Sequence, residues 1–376
     1  MNWKKHLKHL VWALAVPMLF VACDDDDNPG GGGDDDQNFR AESGVYVFNQ
    51  GNQSAGIGGS LSFIDPSTAS YRNDVFLLVN GRELGSMLQD GVVLGDNLYI
   101  AVNGSNTVEV VNKNTVQSVA QIPTPSDLGG PRDVVTDGEY VYASMYGGYV
   151  VRIDPATNEI DNTVQVGPNP EEMAVLGNYL YVVNSDGMNW PPANCSVSKI
   201  NLDDFTEVKK IEVGNNPNKI VAHAASGKLF VACWGDFYNN PSSLWTIDAA
   251  SDEATDLQVS VTFMCISGDV LYTIYDSYNG PESVQYVTYN ATDNSVLDDA
   301  FIPAVTSSNG FVSNLVDSPA GITVNPADGH IFIASYVDDP VNAYTLPSYV
   351  YEYNAQGEVQ RSYDVGVGAA NMLVLE

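Results

Sequence analysis

One short apolar phrase carrying an aromatic residue recurs seven times along this chain: VYVFN at 45, LYIAV at 98, VYASM at 141, LYVVN at 180, LFVAC at 229, LYTIY at 271 and IFIAS at 331. Recurrence at roughly 40 to 60 residues marks a repeat architecture rather than one irregular domain. Most copies follow an apolar stretch and a Gly-containing turn, as in DGVVLGDN at 90, EEMAVLGN at 171 and TFMCISGD at 262, so turn and phrase read as a hairpin. A variable loop comes next, then an alternating strand such as YVVRIDPAT at 149 or SLWTIDAAS at 243, then a fourth strand such as IDNTVQVG. Four short antiparallel strands per unit make a propeller blade.

The first unit begins at its second strand, and the tail GAANMLVLE supplies a strand of the missing kind. The expected fold is therefore all-β, a seven-bladed β-propeller of four-stranded antiparallel blades whose ring is closed by the C-terminal strand completing the first blade. Closure leaves no long sheet edge exposed. A pair of β-sandwiches is the competing architecture, and it predicts neither seven equivalent phrases nor a matching tail. The order of the phrases in PNPEEMAVLGNYLYVVNS resembles the YncE-like and surface-layer propeller repeats. That resemblance implies a fold and leaves activity open, because propellers host many functions.

Ahead of the repeats, Lys4, Lys5 and Lys8 precede LVWALAVPMLFVA, an apolar segment too short to span a bilayer as a helix. Residues 1–22 read as a secretory signal, and the cysteine directly after Val21-Ala22, Cys23, is the expected site of lipidation. Residues 23–43, rich in Asp and Gly, read as a flexible tether, and residues 44–376 as the propeller. An acidic run after a lipidated cysteine resembles the export signal of Bacteroidetes surface lipoproteins. This implies a protein anchored in the outer membrane and displayed on the cell surface. The chain has 47 acidic against 15 basic residues, a net charge of −32, which makes nucleic acid and anionic membrane surfaces poor partners. Three cysteines follow Cys23, and a Cys195 to Cys233 bridge is the pairing expected among them.

In a blade whose first strand is innermost, the loop between strands two and three emerges on the same face as the link between blades. These second-to-third loops vary most, reading for example SDGMNWPPAN, WGDFYNNPS, DSYNGPES and YVDDPVNAYTLPS. They carry Tyr146, Trp190, Trp234, Phe237, Tyr238, Tyr275, Tyr278, Tyr336 and Tyr344 with the amides Gln50, Asn103, Asn189 and Asn239. Exposed rings among amide donors suit a large neutral ligand with flat apolar faces and polar edges. Some of these rings serve only to pack one loop on the next. Trp190, stiffened by Pro191 and Pro192, is the first choice for ligand contact. Arg132 and Lys219 point to the same face, to meet an anionic group or to offset neighbouring carboxylates. The phrase aromatics, such as Tyr99, Tyr142, Tyr181, Phe230 and Tyr272, are expected to pack between blades.

Catalytic signals are weak. His223 and His330 fall in first-to-second turns on the opposite face, which argues against a histidine metal centre or a Ser-His-Asp arrangement on the loop face. Asp338 and Asp339 form a carboxylate pair of the kind that binds calcium, a pairing that chance supplies readily in so acidic a chain. No cofactor and no enzymatic activity are expected. With its lipoprotein start and seven YncE-like units, the chain resembles the BtuG-type propellers of gut Bacteroidetes. That resemblance implies capture of cobalamin or a related corrinoid on one face and delivery to a TonB-dependent outer-membrane transporter. The alternatives are a glycan-binding surface lipoprotein and, further off, a carboxylate-dependent lyase or glycosidase, which would need two converging carboxylates in a deep pocket.

Overall fold

The computed structural model describes residues 39–376 apart from 237, 279–282, 304, 307–311, 314, 315, 317 and 340, so Cys23 and Phe237 lie outside the described residues. Seven four-stranded antiparallel sheets form a ring. The recurrent phrases are the second strands, from Gly44–Asn49 in blade 1 and Asn97–Val102 in blade 2 to Ile331–Tyr336 in blade 7. The tail, Ala369–Leu375, is the inner strand of blade 1, pairing Val45 with Val374 and Tyr46 with Leu373. A short helix, Val75–Asn80, links blades 1 and 2.

Local chemistry sets the turns. Leu94 pairs with Asn97 and Leu176 with Tyr179, leaving two-residue turns whose first residues, Gly95 and Gly177, have φ of 63° and 60°. Such hairpin turns put glycine where φ must be positive. The turns after third strands use an aspartate instead. Asp154 Oδ1 accepts from the Ala156 amide at 2.8 Å, and Asp248 Oδ1 accepts from the Ser251 amide at 2.8 Å.

The apolar core divides into seven clusters, one between each pair of neighbouring blades. Tyr46, Tyr99, Tyr142, Tyr181, Phe230 and Phe332 are fully buried in them, and Tyr272 packs edge-on to Phe301 at 5.4 Å. Each such ring contributes roughly 1.5–3 kcal/mol of burial. A blade alone has two apolar faces and one neighbour too few on each, so the ring is the smallest unit that buries them all. The cysteine pairing differs from expectation: Cys195, Cys233 and Cys265 are all free thiols. Cys195 Sγ instead accepts from the Asn216 amide at 3.2 Å and donates to the Ser185 carbonyl at 3.4 Å.

Candidate functional site

The inner strands do not run straight into the axis. In blades 1 to 5 and in blade 7, one extra residue interrupts their register near the loop face. A bulge re-aims side chains that a regular strand would alternate. The bulged residues Ala370, Gln89, Arg132, Glu171, Asn218 and Ala320 line a cavity of about 350 Å³ at the mouth of the axis. Their successors, Asn371, Asp90, Asp133, Glu172, Lys219 and Gly321, line a second of about 320 Å³ deeper down, and Glu172, Lys219, Phe263, Ala370 and Asn371 border both. Gly321 is required at this closest approach, because a Cβ there would lie 1.8 Å from the Ala370 carbonyl oxygen.

The deeper ring is charged. Asp90 and Asp133, on adjacent blades, line the same deep cavity, and burial favours the neutral form of both carboxyls. Burial, reinforced by the Glu172 charge, pushes Asp90 up to about 6. Burial and the Asp90 carboxylate drive Asp133 well above the usual range, although its Oδ2 accepts from the Met173 amide at 2.7 Å. Lys219 is the internal counter-ion. It is paired with Glu172 and donates to Asn371 Oδ1 at 3.2 Å, while Asn371 donates on to the Gln89 carbonyl at 2.9 Å. Burial pulls the Lys219 ammonium down, but Glu172, Asp90 and Asp133 outweigh it and hold it above its ordinary value.

Arg132 is also committed within the protein. It forms an ion pair with Glu171 at 2.6 Å, donates to Gln89 Oε1 at 2.6 Å and lies 5.1 Å from the Tyr146 ring centre. Both rare cations of this face therefore offset neighbouring carboxylates. Tyr146 supports Arg132 from behind rather than lining the mouth.

The mouth is divided by chemistry. One side, from blades 5 to 7, is aromatic: Trp234, Phe263, Tyr278, Tyr336 and Tyr344. Trp234 is fixed by donating Nε1–H to the Thr262 carbonyl at 2.8 Å and packs on Phe263, and Tyr336 meets Tyr344 edge-on at 5.0 Å. The other side is polar, with Gln50, Gln89, Arg132 and Asn218. Tyr238 and Tyr275 line a neighbouring groove that shares Trp234 and Tyr278 with the mouth. Asn103 lies away from it, against Gly130 between blades 2 and 3. Trp190 is 48% exposed in the 185–195 loop and lines neither cavity.

An aspartate organises each long loop. Asp186 accepts from the Ala193 and Asn194 amides and from Asn189, and Asp236 accepts from the amides of Tyr238, Asn239 and Asn240, which holds Asp236 at about 2. Asp339 does the same, accepting from the Val341 and Asn342 amides, so its oxygens serve its own turn. On the opposite face, His223 pairs with Asp269 at 3.0 Å and His330 with the buried Glu352 at 2.8 Å.

Gln89, Asp90, Asp133, Glu171, Glu172, Asn218, Phe263 and Asn371 are the site residues that reading the sequence missed. The signal was present: DGVV, RDVV, EEMAV and NKIV place one polar residue at the same point of successive units. No curated protein matches the chain. Among solved structures, it is similar to a "putative 6-phosphogluconolactonase" from Bacteroides uniformis, with TM-score 0.61 and 12% identity, covering 89% of this chain and 100% of that one. It is similar as well to a functionally unknown protein from Desulfotomaculum acetoxidans, with TM-score 0.60 and 13% identity over 89% and 99% of the two chains. Identities this low speak for the shared propeller alone. Residues 43–367 match the family model described as Domain of unknown function (DUF5074), and with nearly the whole ring inside that match the chain belongs to this family.

Proposed function

We propose that this propeller is a cell-surface lipoprotein, anchored through Cys23, that captures cobalamin or a related corrinoid at the axial mouth and passes it to a TonB-dependent transporter. The observation that carries the reading is the division of the mouth. Aromatic residues from blades 5 to 7 face amides and a neutralised Arg132 from blades 1 to 5. A corrinoid is large, partly apolar and rimmed with amides, so its apolar surface meets the rings while its edge meets Gln50, Gln89 and Asn218. Neither cation is free to demand an anionic ligand.

Calorimetric titration of the domain with cyanocobalamin tests this. Saturable one-to-one binding at micromolar concentration or tighter is expected. The Trp234→Ala, Tyr336→Ala double variant weakens it at least about tenfold, near 1.4 kcal/mol. No heat at about 100 μM ligand, a concentration giving near-complete occupancy for a micromolar site, refutes the proposal.

The Asp90–Asp133 pair favours a second reading, an acid–base catalyst with the axial cavity as its active site, because two buried carboxyls in one cavity, both held above the usual range, suit such work. The corresponding class is that of a carboxylate-dependent lyase or glycosidase. The two readings separate on Asp90→Asn, which leaves corrinoid affinity unchanged under capture and abolishes turnover under catalysis.

A further inference from the structure

The groove beside the mouth, between blades 5 and 6, has a volume of about 270 Å³, below the roughly 300–1,000 Å³ of drug-sized sites. It suits a small group. Trp234, Tyr238, Tyr275 and Tyr278 line it together with Asp276. Asp276 opens its second-to-third loop directly after the strand Val270–Tyr275, whereas Asp186 and Asp236 lie two and three residues after theirs, and it is bonded differently. Asp236 takes three backbone amides and the Asn240 side chain. Among the described residues Asp276 takes one, the Tyr278 amide at 2.7 Å, although it is only 5% exposed. Among the described residues its second oxygen has no hydrogen-bond partner and no basic side chain forms an ion pair with it. Ser242 adds a buried hydroxyl, also without a partner, at the same groove.

A buried carboxylate with one hydrogen bond and no counter-ion is costly unless something else supplies the charge. Four aromatic residues line the same space, and the face of an aromatic ring attracts a cation. Sugars satisfy acceptors with hydroxyls but do not neutralise the carboxylate. We propose that this groove is a binding site for an organic ammonium group. The ammonium donates to the free oxygen of Asp276 and to Ser242 Oγ, while its alkyl part lies against Trp234 and Tyr275. Burial raises the Asp276 carboxyl toward neutrality in the empty groove, so a bound cation restores its charge. The groove shares Trp234 and Tyr278 with the axial mouth, but Asp276 and Ser242 do not line the mouth, so a change at Asp276 tests the ammonium site separately from corrinoid capture.

Ligand-observed NMR at 0.15 M salt provides the test, with n-butylammonium as probe and n-butanol as its neutral counterpart. The ammonium is expected to saturate the domain at low millimolar concentration or below and to bind at least about tenfold tighter than the alcohol. Asp276→Asn keeps an acceptor for the Tyr278 amide and is expected to lose at least about tenfold in ammonium affinity, with its urea midpoint unchanged. Ser242→Ala, a smaller change, is expected to weaken the ammonium without affecting the alcohol. Equal binding of butylammonium and butanol, full affinity in folded Asp276→Asn, or tighter binding of methyl glucoside than of butylammonium overturns the proposal. Cyanocobalamin affinity of the same Asp276→Asn protein stays at its parental value, which keeps the two sites separable.

Discussion

Ending the chain at Gly368 is expected to abolish cooperative folding. The lost strand, Ala369–Leu375, is the only inner strand blade 1 has, and its partner Gly44–Asn49 is buried along its whole length. Leu375 belongs to the apolar cluster between blades 1 and 2, while Ala369, Met372 and Val374 belong to the one between blades 7 and 1. Asn371 additionally ties Lys219 to Gln89 across the axis. Truncation therefore removes parts of two interfaces and bares a sheet edge at the centre of the ring, against a total stability of only about 5–15 kcal/mol. Urea unfolding followed by tryptophan fluorescence is expected to lose its single sharp transition, and a peptide spanning residues 368–376 added in excess to restore it. An unchanged midpoint in the truncated protein would show that the ring is not held shut by its tail.

Lys219→Met is expected to destabilise the domain by about 3–5 kcal/mol at pH 7, the cost of leaving buried charge without its partner. Glu172 loses its ion pair, and Asp90 and Asp133 lose the cation that faces them. The pH dependence has a definite sign. Asp90 sits at about 6 in the folded protein, against 3.8 as its ordinary value, so the folded state binds more protons than the unfolded state between those limits. Stability from this group therefore rises as pH falls from 7 through 6 and is lost as pH rises through 6. Removing Lys219 pushes the carboxyls higher still, and the deficit of the variant is expected to shrink between pH 7 and pH 5. The aspartates held low, such as Asp236 at about 2, act only below that window, and they act equally in both proteins. Urea midpoints at the two pH values check the prediction, and a deficit that grows on acidification contradicts it.

The ring was legible because its signals are local and repeated. Each phrase is a second strand, each Gly-containing turn a hairpin, and the unpaired first unit pointed to the tail. The loop aromatics were also legible as a group, since the connection order of a blade sends them to one face. Trp190 was not separable from Trp234 on those grounds. Both are tryptophans in long loops, and only the path of the 185–195 chain, set by Asp186, carries Trp190 clear of the mouth. The axial ring was missed for a different reason. Asp90, Asp133, Glu172 and Lys219 sit one residue beyond a bulge, and a bulge is invisible to alternation counting, which assigns each residue a face by parity. The free thiols at Cys195 and Cys233 show the complementary limit, because neighbouring positions in a fold do not imply a bond.

The most direct test of the account is a crystal structure of residues 39–376 grown with cyanocobalamin. Ligand density is expected over the axial mouth, in contact with Trp234 and Tyr336 on one side and Gln50 and Gln89 on the other. Density on the opposite face beside His330, or an axial mouth left without ligand at saturating concentration, would contradict it.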